Sequence, residues 1–217
     1  MSRKQIRVLL VDDHAIVREG YRTLLAKHEG LTVVGEAGDA ASAYQRYKDT
    51  HPDVVIMDIS MPGRGGIDAI EHIRRYDADA RILAFTMHGE AVYALQAFRA
   101  GARGYVTKSS APELLISAVR DVAAGRVVIC PEISEALALD RLREDKTGLE
   151  DLSPREFEIF RMILNARSTD EIASALNISQ KTVANYQSAI RQKLEANTSA
   201  QMVWIALRRN VLGKHEG

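Results

Sequence analysis

Five short apolar segments alternate with longer segments of helical periodicity before residue 127, and this alternation constrains the fold more than any other feature of the sequence. The segments are IRVLLV (6–11), LTVVGEA (31–37), DVVIMD (53–58), RILAFT (81–86) and GYVTK (104–108). Their length and their content of β-branched residues predict strands. Because strands that are apolar on both faces need helices on both sides, the pattern predicts a doubly wound α/β domain with five parallel strands.

The helical segment after the fifth strand carries signals for both of its ends. Ser110 and Glu113 have the spacing of a capping box, so we expect a helix that begins near Ala111. Gly125 is the residue type that commonly ends a helix. The segment between them has apolar residues at the spacing of one helix face and predicts a helix over that length.

Charged and polar side chains stand where four of the predicted strands end. Asp12 and Asp13 follow the first strand, Asp58 ends the third, Thr86 ends the fourth and Lys108 ends the fifth. In a parallel sheet these ends meet at one edge, where ligands bind. We therefore expect three carboxylates, a hydroxyl and an ammonium group to face one crevice.

The chemistry of such a crevice follows from its charges. Neighbouring carboxylates repel each other unless a cation joins them or some of them protonate, and oxygen ligands favour Mg²⁺ or Mn²⁺ over zinc. With Lys108 and a metal to neutralise charge and Thr86 to donate a hydrogen bond, Asp58 could attack a phosphoryl group and form an acyl phosphate. A single strand-end aspartate is more often a cap or a turn former, so only the complete set indicates catalysis.

Two other features lie next to these strand ends. The loop SMPGRGG (60–66) has three glycines, Gly63, Gly65 and Gly66, which permit tight turns. His14 and His88 flank the crevice, but each has too few histidine neighbours to indicate a metal ligand, and we expect groups at the surface or around the site.

The composition excludes several classes of protein. With 46% hydrophobic residues the chain is neither disordered nor membrane-spanning, and its single cysteine, Cys130, allows no internal disulfide. No apolar run has membrane-spanning length, and because MSRKQIRVLLVDD enters a strand-like pattern directly, we expect no cleavable signal. We expect a cytoplasmic protein without a membrane partner.

The chain after residue 127 predicts a linker and a second, all-helical domain. Residues 128–150 are predicted as a linker with a short helix, whose residues Leu137, Ala138 and Leu142 are expected to pack on a domain. Residues 151–217 predict four helices. Two begin at capping boxes, the third begins at Ser179, and the fourth lies in SAQMVWIALRRN (199–210). The boxes pair Ser153 with Glu156 and Ser168 with Glu171.

Only two residues separate the second helix from the third, and this spacing predicts a helix-turn-helix unit. The third helix buries Val183, Ile190 and Leu194 by its periodicity. An isolated amphipathic helix usually just exposes its polar face to water. Here that face is small and rich in amides, with cations at Lys181 and Arg191, and such a surface can enter a major groove of DNA.

Residues 5–125 resemble the receiver domains of bacterial two-component response regulators. The likeness lies in VDDH, MDISMPG, FTMH and GYVTK, which occur in the family's order and spacing. It implies a flavodoxin-like receiver domain at 1–127, in which Asp58 accepts phosphate from a sensor histidine kinase. It further implies catalytic roles for Thr86 and Lys108. The implied metal ligands are Asp12, Asp13, Asp58 and the backbone carbonyl of Ser60. Thr86 and Tyr105 would form a switch, although Tyr105 could equally be an ordinary core residue.

The sequence LSPREFEIF…STDEIASALNISQKTVANYQSAIRQKL resembles the DNA-binding domain of LuxR-type regulators, and the whole chain resembles NarL/FixJ-family transcription factors. The likeness implies double-stranded promoter DNA, a homodimer after phosphorylation and, as a further candidate, RNA polymerase as partners. The implied DNA-binding residues are Lys181, Thr182, Ala184, Asn185, Ser188 and Arg191. Val203 and Leu207 would form the dimer contact.

We therefore predict a DNA-binding response regulator that catalyses only its own phosphoryl transfer and slow autodephosphorylation. One alternative is a phosphohydrolase that turns over an aspartyl intermediate, although Ser60 stands where such an enzyme typically needs an acid. A second alternative is a constitutive DNA-binding protein with a relic receiver.

Overall fold

A parallel sheet forms the first domain. The computed structural model describes residues 5–61, 65–141, 148–208 and 211. Its strands are β1 (Ile6–Val11), β2 (Leu31–Ala37), β3 (Val54–Met57), β4 (Ile82–Thr86), β5 (Gly104–Thr107) and β6 (Val128–Ile129), in the order β2-β1-β3-β4-β5-β6. The doubly wound fold and the five predicted strands are confirmed, with boundaries that differ by at most one residue.

The predicted strand number was wrong by one. Val128 and Ile129 pair in parallel with Gly104 and Tyr105 and add a sixth strand at the edge. Two residues are too few to show the alternation of a strand in sequence, so the predicted linker (128–150) includes them.

Five helices flank this sheet: α1 (Ala15–Ala26), α2 (Ala40–Thr50), α3 (Gly66–Tyr76), α4 (Ala91–Ala100) and α5 (Pro112–Ala123). Helices α2, α3 and α4 pack side by side, and α5 lies against β3, β4 and β5. All four residues of β3 are buried. This burial explains the unbroken apolar run before Asp58, because β3 lies inside the sheet with neighbours on both edges.

The predicted capping box at the start of α5 was wrong. The residue before the helix is Ala111, which offers no side-chain cap, and Pro112 takes the first turn. Proline suits that position because it has no backbone N–H to satisfy. The hydroxyl of Ser110 instead contacts the hydroxyl of Thr107 at 2.9 Å.

A short helix, α6 (Pro131–Arg141), follows β6 and packs against α4. Ile133 is buried, Leu137 is half-buried against the core, and Ala138 is exposed. The predicted packing of the linker helix is therefore confirmed for Leu137 and wrong for Ala138. Leu142 lies outside the described residues.

The second domain begins after a single 3₁₀ turn (Leu149–Asp151) and contains α7 (Pro154–Leu164), α8 (Thr169–Leu176), α9 (Gln180–Lys193) and α10 (Ser199–Arg208). The four predicted helices and both capping boxes are confirmed. Asn177 adopts a left-handed conformation, φ 52°, and lets α8 turn into α9 within the three residues 177–179. In the described part of the chain, no helix is both long enough and apolar enough to cross a bilayer.

The two domains contact each other through α3 and α4 on one side and α7 on the other. Gln96 is fully buried in α4, and its side-chain amide donates hydrogen bonds to the carbonyls of Leu149 (3.2 Å) and Leu152 (3.1 Å). The Tyr93 hydroxyl donates to the carbonyl of Val211 at 2.9 Å. The N-terminal domain therefore satisfies backbone groups at both ends of the helical domain.

Candidate functional site

An ammonium group joins two buried carboxylates at the edge of the sheet. Lys108 Nζ lies 2.5 Å from Asp12 Oδ2 and 2.6 Å from Asp58 Oδ2. Both aspartates are 2% exposed. Burial disfavours the charge on Lys108, but the hydrogen bonds to Asp12 and Asp58 outweigh it and raise the pKa of Lys108. The site therefore holds a charged lysine between two carboxylates, as the strand ends predicted.

Backbone groups fix the orientation of these carboxylates. Asp58 follows β3 directly, and its Oδ1 accepts a hydrogen bond from the N–H of Ser60 at 2.9 Å. Asp12 Oδ1 accepts from the N–H of His14 at 2.8 Å. Each aspartate thus bonds the backbone two residues further on, as aspartates in turns commonly do. The remaining oxygen of each faces Lys108.

The loop after Asp58 packs tightly on its backbone. A Cβ atom on Gly66 would overlap the carbonyl oxygen of Asp58, and one on Gly65 would lie 2.8 Å from Glu158 Oε1. These two glycines allow a close approach, whereas Gly63 lies outside the described residues. The glycines after β3 therefore bring α3 against the aspartate and against the second domain.

Thr86 and Tyr105 are both fully buried beside this site. The Thr86 hydroxyl is 3.0 Å from the hydroxyl of Ser60. The Tyr105 hydroxyl donates to the carbonyl of His88 at 2.9 Å, and burial raises the pKa of Tyr105 well above its usual range. Tyr105 is therefore a core residue whose one polar atom is tied to the loop that follows Thr86.

A divalent cation fits the donor set. Ligand atoms of Asp12, Asp13, His14 and Asp58 all lie within 4.8 Å of one another. Asp13 Oδ1 is buried and has no hydrogen-bond partner. Three carboxylates and one lysine leave excess negative charge, which a hard cation neutralises. The sequence analysis expects His14 at the surface or around the site, and its side chain is largely exposed beside this cluster.

The polar face of α9 is open to solvent. Val183, Ile190 and Leu194 are buried, as predicted, while the face opposite them is exposed. The exposed residues are Lys181, Ala184, Asn185, Ser188 and Arg191, and Thr182 is half-buried with its hydroxyl 2.8 Å from that of Ser179. The structure thus brings the predicted DNA-binding residues to one side of one helix.

Helix α10 exposes an apolar strip. Met202, Ile205 and Ala206 pack into the domain. Val203, Trp204 and Leu207 remain 38%, 56% and 61% exposed. Exposed apolar groups that are contiguous on a helix commonly mark an interface.

Each of the two domains matches a known protein family. Residues 8–120 match the family model "Response regulator receiver domain", and residues 150–206 match "Bacterial regulatory proteins, luxR family". The chain belongs to the NarL/FixJ family of response regulators. It is thus a two-component response regulator with a receiver domain and a LuxR-type DNA-binding domain, and a transcription regulator rather than a phosphohydrolase.

Relatives align over nearly the whole response regulator. It is 38% identical to "Response regulator UvrY" of Escherichia coli (strain K12), over 94% of this chain and 94% of that protein. It is 35% identical to "Response regulator GacA" of Pseudomonas aeruginosa, over 95% of this chain and 98% of that protein.

Two solved structures resemble it as well. A LuxR-family two-component response regulator from Aurantimonas sp. is 51% identical, with a TM-score of 0.63, and covers 64% of this chain and 100% of its own. RcsB from Salmonella enterica serovar Typhimurium, bound to promoter P1flhDC in the presence of the phosphomimetic BeF3−, is 27% identical with a TM-score of 0.72, over 93% of this chain and 98% of its own.

The residues that sequence reasoning missed lie mainly between the domains. Tyr93, Gln96 and Glu158 are buried there. Gln96 did carry a signal, because it interrupts the apolar stretch AVYALQAF (91–98). Tyr93 and Glu158 carried none, since each has the spacing of an ordinary helix residue.

Proposed function

We propose that this response regulator accepts a phosphoryl group on Asp58 from a sensor histidine kinase and then binds promoter DNA as a homodimer to control transcription. The observation that carries the proposal is the contact of Lys108 Nζ with Asp58 Oδ2 and Asp12 Oδ2. A lysine held there neutralises charge where a phosphoryl group would arrive.

The transfer needs little covalent chemistry from the protein. A carboxylate oxygen of Asp58 forms a bond to phosphorus while the phosphorus–nitrogen bond of the kinase phosphohistidine breaks. Asp12, Asp13, Asp58 and the Ser60 carbonyl would hold Mg²⁺ or Mn²⁺, which would supply positive charge to the phosphoryl oxygens. Lys108 binds a further phosphoryl oxygen, and the Thr86 hydroxyl donates to a third.

A continuous set of contacts leads from this site to the second domain. Thr86 begins the loop that contains His88, and the His88 carbonyl accepts the hydrogen bond from Tyr105. The His88 ring stacks on Tyr93, with 3.8 Å between centroids. Tyr93 in turn contacts Phe157 of α7 edge-on. If Thr86 moves toward the phosphoryl group and Tyr105 follows, this stack transmits the change to the domain contact.

The exposed face of α9 favours control through dimerisation over masking of that helix. Lys181 and Arg191 are already open to solvent, so the domain contact need not cover the DNA-binding face. Release of the contact would instead free the domains to form a dimer through the apolar strip of α10. Two linked helices of this kind bind two half-sites more tightly than either binds one.

The proposal is tested with the purified full chain, Mg²⁺ and a small acyl-phosphate donor. Intact mass spectrometry should show one added phosphoryl group, and promoter DNA should bind more tightly by fluorescence anisotropy. Asp58→Ala should show neither change. An unchanged mass in the wild type, or the same gain in affinity in Asp58→Ala, would contradict the proposal.

The dimer contact is tested separately by charge substitution. Leu207→Glu should keep the phosphorylated chain monomeric in analytical ultracentrifugation, because a carboxylate in an apolar contact is costly. Leu139→Glu is the matched control, since Leu139 is 56% exposed on α6 and lies outside the strip. If Leu207→Glu dimerises as strongly as the wild type, α10 does not form the dimer contact.

A further inference from the structure

The imidazole of His14 lies against the acidic cluster in an unusual way. His14 Nδ1 is 2.9 Å from Asp13 Oδ1 and 3.4 Å from Asp12 Oδ1. At 2.9 Å a nitrogen and an oxygen normally share a hydrogen bond. Asp13 Oδ1 is nevertheless buried without a hydrogen-bond partner, so the two atoms adjoin without the geometry of a bond.

The distance of 2.9 Å between His14 Nδ1 and Asp13 Oδ1 matches the distance between neighbouring ligands of one cation. Adjacent ligands of an octahedral ion with bonds of about 2.1 Å lie roughly 3 Å apart, because the edge of an octahedron is longer than its radius by a factor of about 1.4. The atom pair of Asp13 and His14 has this spacing. Together with Asp12 and Asp58, the two atoms belong to a set that lies within 4.8 Å.

The backbone holds His14 in this place. Its N–H donates to Asp12 Oδ1 at 2.8 Å, and the residue immediately precedes α1. The side chain is 67% exposed, so the imidazole can turn toward an ion without breaking a packed core.

We propose that His14 supplies an imidazole ligand to the divalent ion of the receiver site, which therefore gains affinity for transition ions such as Mn²⁺ or Co²⁺ relative to Mg²⁺. The inference rests on the proposed metal site at Asp12, Asp13 and Asp58. An imidazole donor adds little for Mg²⁺, which prefers oxygen, and adds affinity for later transition ions.

The direct test is pulsed electron paramagnetic resonance of the full chain loaded with Mn²⁺. A directly coordinated imidazole nitrogen should modulate the echo in the wild type, and His14→Ala should lose that modulation. His51→Asn is the control, because His51 ends α2 in a left-handed conformation that asparagine tolerates. The control should keep the nitrogen signal.

Metal affinities give a second, independent readout. By calorimetric titration, His14→Ala should bind Mn²⁺ at least about tenfold more weakly than wild type, while the affinity for Mg²⁺ changes by less than about twofold. Circular dichroism checks that the variant is folded. Equal losses for both ions would show a general disturbance of the site and overturn the role of His14 as a nitrogen ligand.

Failure of this inference can be told apart from failure of the proposed function. If Mn²⁺ binds and supports phosphorylation of Asp58 but no nitrogen signal appears in the wild type, His14 is not a ligand and the receiver function stands. If neither Mn²⁺ nor Mg²⁺ binds to the wild type, the metal site itself is wrong, and the proposed function fails with it.

Discussion

The ring of Tyr93 lies parallel to the imidazole of His88, with 3.8 Å between centroids and an angle of 2° between planes. His88 belongs to the loop after Thr86, and Tyr93 sits in the first turn of α4. On its other sides Tyr93 contacts the ring of Phe157 and the guanidinium of Arg161, 5.2 Å from its centroid. One side chain of the receiver domain thus joins the loop after Thr86 to the LuxR-type domain.

We expect truncation of Tyr93 to loosen the domain contact. Tyr93→Ala removes a fully buried ring and should cost about 3–5 kcal/mol of unfolding free energy. Tyr93→Phe keeps the ring and loses only the hydroxyl, which bonds the Val211 carbonyl and interacts with Arg161, and should cost about 1–2 kcal/mol. Hydrogen exchange of α7 amides should accelerate strongly in the first variant and weakly in the second. Unchanged exchange in Tyr93→Ala would show that the ring does not hold the domains together.

Glu158 should make the domain contact dependent on pH. Burial, and next the charge of Asp68 in α3, raise the pKa of Glu158 to about 7, against the opposing charges of Arg155 and Arg161 in α7. A raised carboxyl pKa means that the closed form binds the proton more tightly. The stabilisation is therefore complete below the ordinary pKa near 4.5 and is lost as pH rises to 7.

The expected loss over that range is about 3 kcal/mol, since one unit of pKa corresponds to 1.36 kcal/mol. Energy transfer between dyes on the two domains, recorded from pH 5 to pH 8, should report opening as pH rises. Glu158→Gln keeps the shape and stays neutral, so its domain contact should be insensitive to pH. The same pH profile in wild type and Glu158→Gln would assign the effect to other groups.

The position of the strand-end site could be predicted from the sequence, whereas the contact between the two domains could not. Strand ends in a parallel sheet converge whatever the loops do, so the positions of Asp12, Asp58 and Lys108 followed from periodicity. The burial of Glu158 depends on how two finished domains meet, and no local pattern contains that. At Ser110 a local pattern misled the prediction. Ser110 and Glu113 have the spacing of a capping box, but the helix begins at Pro112, and the Ser110 hydroxyl contacts the hydroxyl of Thr107 instead of capping it.

Lys108 should stabilise the receiver domain as well as serve its chemistry. Lys108→Met leaves the Asp12 and Asp58 carboxylates buried without their cation and should cost about 3–5 kcal/mol in urea unfolding without metal. Arg22→Met is the matched control. Arg22 pairs with Glu19, and both side chains are largely exposed, so the loss of this cation should leave the unfolding free energy nearly unchanged. Added Mg²⁺ should recover part of the loss only in Lys108→Met.

Gly66 should tolerate no side chain, because a Cβ atom would overlap the Asp58 carbonyl. We expect Gly66→Ala to be poorly folded or to lose phosphorylation. Gly20→Ala is the control with open space, because Gly20 lies within α1 and an added Cβ would have no atom within 4 Å. That change should stabilise the chain by about 0.5–1 kcal/mol. Thermal unfolding of both variants provides the comparison, and a stable, phosphorylatable Gly66→Ala would contradict the close packing.

Two residues on the exposed face of α9, Lys181 and Asn185, should affect DNA binding in different ways when they are substituted. Lys181 is predicted to meet a phosphate, so Lys181→Ala should weaken binding to all DNA sequences alike and reduce the slope of log affinity against log salt by about one per monomer. Asn185 is predicted to face a base edge, so Asn185→Ala should cost about 1–3 kcal/mol on the preferred promoter and little on unrelated DNA. Anisotropy titrations at several salt concentrations measure both quantities. If the two variants instead lose affinity equally on both DNAs, Asn185 reads no base, and the recognition surface must lie elsewhere on the helical domain.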